Sequence, residues 1–308
     1  MMGDRNSLEG VSLIVPAYNE VQSIERTLRR LRKILGSLNR PFEIIVVDDG
    51  STDKTVIEAR KVASVRIESH PLNIGYGAAI KTGIRNSSYE IIGIVDADGT
   101  YDIEGLPSLL EDIDYGFHMV VASRENVSET DTFIKGIARS ILLWSLNILI
   151  AAKIRDPNSG FRLFQKSLAL TYFPFLCNSF SFTTSITLFA LGDGYFVKYV
   201  PMQYGVREGK SKVRHFRDSL RMVQLIFQGV TFANPLKLFV LLAVFYIFIF
   251  GFPAIILVFL GLIEIAWIYL TAGSTVTLLL ALGVLTDMYR LVTINQEKSP
   301  TRKFFNSN

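Results

Sequence analysis

IIGIVDADGTYD, residues Ile91 to Asp102, is the stretch that decides how this sequence folds. Five largely apolar residues, the composition of a buried strand, run into Asp96 and Asp98 with only Ala97 between them. An unpaired carboxylate in a protein interior costs several kcal/mol. The two acids therefore mark the place where the strand leaves the core and meets something. Side chains at i and i+2 of an extended chain point to one side, so both acids address one object beyond the strand. Two oxygen ligands on one side suit a hard divalent cation, Mg²⁺ or Mn²⁺. Three histidines and a single cysteine, Cys177, leave little from which to build a zinc site. Asp98-Gly99 is also a hairpin-turn dipeptide, but no alternating strand follows Gly99. Polar Thr100 to Glu104 leads into an apparent helix instead.

Working outward, VVDDGSTDKT (46–55) repeats the arrangement: a buried run, two acids, a glycine, then Ser51, Thr52 and Asp53 as helix caps. Asp48 or Asp49 offers an acceptor to a nucleobase or ribose. Strands are predicted over Val11–Val15, Phe42–Val47, Val65–Glu68, Ile91–Val95 and Met119–Ala122. Helical spacing is predicted over Val21–Leu38, Asp53–Ala63 and Gly75–Asn86. Such alternation predicts an α/β fold, a mostly parallel sheet covered on both faces, with ligands beyond the carboxyl ends of the strands. VPAYNE (15–20) closes the first strand with a rigid turn bearing a ring and a carboxylate. NIGYGAAIKTGI (73–84) places Ile80 where a dinucleotide fingerprint needs its third glycine, so it reads as a Gly-rich turn before a helix.

Beyond about residue 205 the composition changes. The segment 206–234 is basic and amphipathic, with Arg207, Lys210, Lys212, Arg214, Arg217 and Arg221 against Glu208 and Asp218. Its charge reads as acceptor binding or as attraction to anionic lipid, worth about 1 kcal/mol per residue near a membrane surface. From 235 to 308 two apolar runs dominate, Leu236–Ile263 with only Lys237 charged and Ile265–Thr286 with no charge. Each exceeds the roughly 20 residues that cross a bilayer core. Glu264 between them is expected in a surface turn, Gly261–Glu264, giving a transmembrane helical hairpin. Basic residues flank both outer ends, so the positive-inside rule places those ends and the 1–205 domain in the cytoplasm. The alternative is a buried helical pair in a soluble protein. ILLWSLNILIAA (141–152) is too short to span, and reads either as core or as interfacial. Net charge of +4 gives no nucleic-acid signal, and one cysteine excludes an internal disulfide and fits a reducing compartment. The first apolar run is too short and too close to acidic residues for a signal peptide, so the first domain is expected in the cytosol.

VPAYNE, VVDDGSTD, NIGYGAA, DADGTYD, ASR, DPNSGFRLF and VREGKSK follow in this order over about residues 10–215. The set resembles the family-2 glycosyltransferases of the GT-A fold, and within them the dolichyl- and polyprenyl-phosphate sugar synthases. The apolar tail is similar to the paired membrane helices of some members. The resemblance implies that Pro16, Tyr18, Glu20, Val46, Asp48, Asp49, Asp96 and Ala97 hold a nucleotide sugar, a GDP-mannose or a UDP-sugar. It implies that Asp96 and Asp98 address the metal–diphosphate. Thr100 stands where the subgroup often carries a Gln as third ligand, so water is expected to complete the shell. Arg124, Arg139, Arg207 and Lys212 would meet the acceptor phosphate, with Asp98, Arg124, Arg207 and Lys212 the catalytic set. Ser159, Gly160 and Arg162 would shape the floor of the site.

Between Asp156 and Asp193 there is no Asp or Glu, in the region where members that attack through a sugar hydroxyl usually carry a general base. A hydroxyl needs such a base, whereas a lipid monophosphate is already anionic and needs only cations to orient it. The expected activity is inverting transfer of a monosaccharide to a polyprenyl phosphate at the cytoplasmic membrane face. A homo-oligomer is left open. A processive polysaccharide synthase is a rival, but Trp144 and Trp267 lack the preceding Arg of the Gln-x-x-Arg-Trp motif those enzymes carry. A catalytically silent, membrane-anchored nucleotide-sugar-binding protein is another, and would have lost the Asp pair or the cations.

Overall fold

The computed structural model describes residues 10–124, 147, 154–179, 181–205 and 235–298. Arg139, Arg207, Lys212, the basic segment around them and all of 141–152 except Asn147 lie outside the described residues. The chain divides into two compact units, Met1–Met222 and Val223–Asn308.

In the first unit the strands are β1 (Val11–Ala17), β2 (Phe42–Asp48), β3 (Val65–Ser69), β4 (Ile91–Ile94), β5 (Met119–Arg124), β6 (Arg162–Gln165) and β7 (Val197–Met202). They form one sheet in the order β3-β2-β1-β4-β6-β5-β7. All neighbours run parallel except β6, which is antiparallel to both β4 and β5. The parallel part joins through α1 (Ile24–Ser37), α2 (Thr55–Arg60), α3 (Tyr76–Asn86) and α4 (Leu106–Tyr115). Helices α5 (Lys166–Thr171) and α6 (Phe182–Gly192) follow β6.

The apolar spacing in α1 buries Ile24, Leu28, Leu31 and Leu35 as one stripe, in a single core cluster with Leu13 and Val15 of β1 and with Leu106 and Leu109 of α4. Alternation in β1 sends Ile14 to the opposite face, where α3 covers it. There Gly83 approaches so closely that a Cβ would lie 2.5 Å from Ile14. Both faces are thus covered, as near-continuous apolar strands require. Strands β6 and β7 were not among the predicted strands. RLFQ has only four residues and opens on an arginine, and VKYVPM carries a lysine and a proline.

Two sequence-level expectations need correction. Helix α2 starts at Thr55 with Lys54 at its N-cap and no side-chain cap. Ser51 and Thr52 bond Asn19 of the neighbouring loop instead, and Asp53 accepts the Thr55 amide at 2.9 Å. The chain is also not extended through Asp98. Strand β4 ends at Ile94, the backbone turns at Ala97–Asp98, and Gly99 has φ +73°. Strand alternation therefore does not set the directions of Asp96 and Asp98, although both acids lie just past the strand.

The second unit holds α7 (Pro235–Tyr246), a π-helical turn (Ile247–Gly251), α8 (Phe252–Phe259) and the long α9 (Ile263–Lys298). Phe239–Phe259 and Ile263–Asp287 are long and apolar enough to cross a membrane, and only 6% of each is buried. Between them Gly261, at φ +78°, closes a Schellman turn: its amide meets Val258 O (3.0 Å) and the Leu262 amide meets Leu257 O (2.9 Å). Pro253 has no N–H for the carbonyl of Ile249 four residues earlier. The Tyr269 hydroxyl of α9 donates to that carbonyl at 2.9 Å, and Tyr246 returns a bond to Leu270 O at 3.3 Å. A neighbouring helix thus supplies the donor that the proline withholds.

Candidate active site

The carboxyl ends of β2, β1 and β4 lie side by side, with Ala17 opposite Asp48 and Ile14 opposite Ile94. Strand spacing puts β2 and β4 about 10 Å apart across β1. Antiparallel β6 brings its start to the same edge, Arg162 opposite Ile94 and Val121. Pro16, Asp48, Asp96, Asp98, Arg124 and Ser159–Arg162 thus collect at one edge of the sheet from five strands.

Adjacent Asp48 and Asp49 have different surroundings. Asp48, buried at the end of β2, receives the Ser51 amide at 3.3 Å. Asp49 is drawn inward by a loop. Its Oδ1 accepts from His70 Nδ1 (2.8 Å) and the Ile74 amide (3.1 Å), and its Oδ2 from the Gly75 amide (2.9 Å). A carboxylate accepts, so Nδ1 carries the hydrogen, and His70 Nε2 meets the Thr82 hydroxyl at 2.9 Å. Gly50 leaves room for this loop, since a Cβ there would lie 2.6 Å from the Leu72 backbone. Asn19, at φ +53°, knits the VPAYNE turn to the same region through Ser51 and Thr52.

At the acid pair, the Tyr76 hydroxyl donates to Asp96 Oδ1 at 2.7 Å. On the other side of the carboxylate a Cβ on Gly160 would sit 2.1 Å from Oδ2, so any side chain there would have to displace the carboxylate. The Gly160 amide donates to the Tyr101 hydroxyl at 2.7 Å. Burial, then the Asp96 charge, pushes the Tyr76 phenol far above its ordinary pKa, so it remains a donor at neutral pH. Burial does the same for Tyr101. Asp98 Oδ1 accepts the Thr100 amide (3.1 Å) and hydroxyl (2.7 Å). Thr100, at the position of the subgroup's Gln, thus orients the Asp98 carboxylate. Thr27 of α1 bonds Ala97 O at 3.2 Å and fixes the turn between the acids.

The donor set is two carboxylates, one half-buried and one buried, with no group of three His, Cys, Asp or Glu among the described residues. All-oxygen, incomplete sites of this kind suit Mg²⁺ or Mn²⁺, which take one or two carboxylates and fill their shells with substrate phosphates and water. The residues fit such an ion.

Arg124, expected at an acceptor phosphate, is bidentate to Asp156, with Nε to Oδ2 and Nη2 to Oδ1 both at 2.8 Å. Its own amide also meets Oδ2, and its guanidinium lies 5.3 Å over the Tyr204 ring. Burial raises the Asp156 carboxyl, but Arg124's hydrogen bonds and charge outweigh it and hold the pKa below the ordinary value. Burial alone would lower the Arg124 pKa, and Asp156 raises it overall. Arg162 is fully buried and donates to Pro157 O (3.1 Å), Ser159 O (3.0 Å), Thr183 O (2.9 Å) and Thr187 Oγ1 (2.8 Å). It clamps the 157–159 loop to α6. Ser159 Oγ bonds Ala122 O at 2.6 Å. Tyr76, Tyr101 and Asp156 lie in the motifs quoted above with no role attached to them, and His70 lies in none of those motifs. Nothing in their spacing marks them, because their partners stand 12 to 59 residues away.

The sequence model of Glycosyl transferase family 2 matches residues 12–173. An undecaprenyl-phosphate 4-deoxy-4-formamido-L-arabinose transferase of Salmonella choleraesuis is 28% identical over 78% of this chain and 73% of its own length. A dolichol-phosphate mannosyltransferase of Pyrococcus furiosus is 29% identical over 66% of this chain and 59% of its own. Among solved structures, glucosyl-3-phosphoglycerate synthase from Mycobacterium tuberculosis, in complex with Mn²⁺, UDP-glucose and glycerol 3-phosphate, matches with a TM-score of 0.54. It is 20% identical over 73% of this chain and 80% of that one, a likeness of fold.

Proposed function

The chain belongs to glycosyl transferase family 2, and from that premise we propose that it moves a monosaccharide from a nucleotide-diphosphate sugar to a polyprenyl phosphate, with inversion. The observation that carries the reading is the convergence of Asp48, Asp96 and Asp98 on one edge, flanking the end of β1. The two relatives act, by name, on undecaprenyl phosphate and dolichol phosphate. In this reading Pro16, Tyr18, Glu20, Val46, Asp48 and Ala97 form the nucleotide side, and Asp49 shapes the loop beside it. Asp96 and Asp98 hold Mg²⁺ or Mn²⁺, which when bound supplies Lewis-acid neutralisation of the leaving diphosphate.

The acceptor reading rests on the β6 approach. Asp156 is committed to Arg124, and no acid follows it until Asp193, which is itself bonded to the Tyr172 hydroxyl. An acceptor hydroxyl would need a base to take its proton, whereas a phosphate monoester arrives ionised. Cations orient it: Arg139, Arg207, Lys212 and the Nη1 edge of Arg124. The Gly205 amide donates to Thr100 O at 2.7 Å, which holds the end of the described segment beside the acid pair. The two apolar helices anchor the protein in the membrane, and the flanking basic residues put both outer ends in the cytoplasm.

The test is to incubate detergent-solubilised protein with Mn²⁺, short polyprenyl phosphates and a panel of nucleotide sugars, with mass detection of product. A hexosyl polyprenyl phosphate is expected. Transfer only to a hydroxylated acceptor, or release of free sugar alone, would overturn the reading.

A further inference from the structure

The Asp96 carboxylate is held from two sides, by the Tyr76 phenol on Oδ1 and by the Gly160 backbone against Oδ2. Tyr76 is the first residue of α3, and the placement of that helix end is unusually determined. A Cβ on Gly75 (φ +117°) would lie 2.3 Å from Asn178 O, and one on Gly77 2.1 Å from Cys177 O. The Ala78 amide bonds Asn178 O at 3.1 Å, closing that side. On the other side Asp49 takes the amides of Ile74 and Gly75, the two residues before Tyr76. His70 links the same carboxylate to Thr82, about 9 Å further along α3. Hydrogen bonds thus run from Thr82 through His70 and Asp49 to the amides of Ile74 and Gly75, and the backbone carries straight on from Gly75 into Tyr76, which bonds Asp96.

Resting on the cation reading above, we propose that Tyr76 is a positioning residue for the cation site, fixing Asp96 in the pose that meets the metal–diphosphate, and that Asp49 and His70 in turn fix Tyr76. A phenol suits this task. Its rigid ring reaches across from α3 to the end of β4, and its hydroxyl donates without adding a charge that would compete with a cation. Groups that orient a metal-binding carboxylate from behind typically change metal affinity or activity 10- to 100-fold when removed. Asp49 then acts through the loop rather than on the nucleotide, which explains why both of its oxygens are engaged inside the fold.

The experiment titrates Mn²⁺ into full-length protein in detergent, alone and with GDP or UDP, following the electron paramagnetic resonance signal of unbound Mn²⁺. Thermal midpoints are recorded beside it. Asp98→Ala is expected to lose binding, and its retention at wild-type strength would overturn the cation reading itself. Tyr76→Phe is expected to weaken Mn²⁺ binding about tenfold or more with the thermal midpoint kept. Wild-type affinity in Tyr76→Phe, with binding lost in Asp98→Ala, would overturn the positioning role alone. His70→Ala is expected to weaken Mn²⁺ binding as well, and His70→Asn, whose amide nitrogen stands in for Nδ1, to restore it. If Tyr76→Phe unfolds, that pair decides. Equal Mn²⁺ affinity in His70→Ala and wild type would sink the link through Asp49.

Discussion

Gly160→Ala tests the geometry of the acid pair most directly. The added Cβ would lie 2.1 Å from Asp96 Oδ2, 2.5 Å from Cγ and 2.6 Å from Oδ1, inside the 3.0 Å that Cβ atoms respect. All three atoms belong to one side chain. The carboxylate therefore swings away by about 1 Å while the backbone of β4 and β6 stays. A movement of that size strains the 2.7 Å bond from Tyr76 and takes Asp96 out of the position that Tyr76 and Gly160 set. Displacing a reacting constellation by about 1 Å costs on the order of 100-fold in rate, equivalent to about 2.7 kcal/mol on the barrier. The assay is the initial rate of sugar transfer to polyprenyl phosphate, with circular dichroism and the thermal midpoint as controls for the fold. An unchanged kcat in a folded variant would refute the claim that Asp96 is held where the chemistry needs it. A collapsed thermal midpoint would show that the backbone yields first, and would refute the claim that the side chain moves.

Asp156→Asn leaves the largely buried Arg124 guanidinium without its counter-charge and is expected to cost about 3 kcal/mol at neutral pH, measured by chemical denaturation. Because the Asp156 pKa is lowered in the folded state, the pair's contribution is complete above the ordinary carboxylate pKa of about 4. It is lost as pH falls through the lower folded value, so Asp156→Asn should flatten that acid limb, and an unchanged limb would exclude the pair as its cause. Arg207→Ala should weaken use of the acceptor phosphate while leaving nucleotide affinity nearly intact, as read from separate KM and binding titrations. Equal loss of both would place Arg207 on the donor side. In the second unit Tyr269→Phe removes the donor to Ile249 O. It should cost about 0.6 kcal/mol, the usual worth of one interhelical hydrogen bond in a membrane, by reversible unfolding in bicelles. No change would mean that the π-helical turn satisfies that carbonyl by itself.

The sequence by itself determined the α/β class, the two apolar helices and the collection of acids at strand ends. Those are local facts: period, run length, and a carboxylate following a buried run. It also carried Asp48, Asp96 and Asp98 to one edge, because consecutive parallel strands must end on the same side. Tertiary structure alone decided what each polar group does there. Adjacent Asp48 and Asp49 look alike in the chain, yet Asp49 is taken up by His70 and two amides from a loop over twenty residues away. Arg124 reads in the chain as a bare cation, and only the fold sets Asp156 against its Nε and Nη2. Strand β6 inserts between β4 and β5 against their direction, so that Gly160 meets Asp96. A side chain's partner is chosen by proximity in the packed chain, and four-residue strands and long loops leave that proximity unwritten in any local pattern.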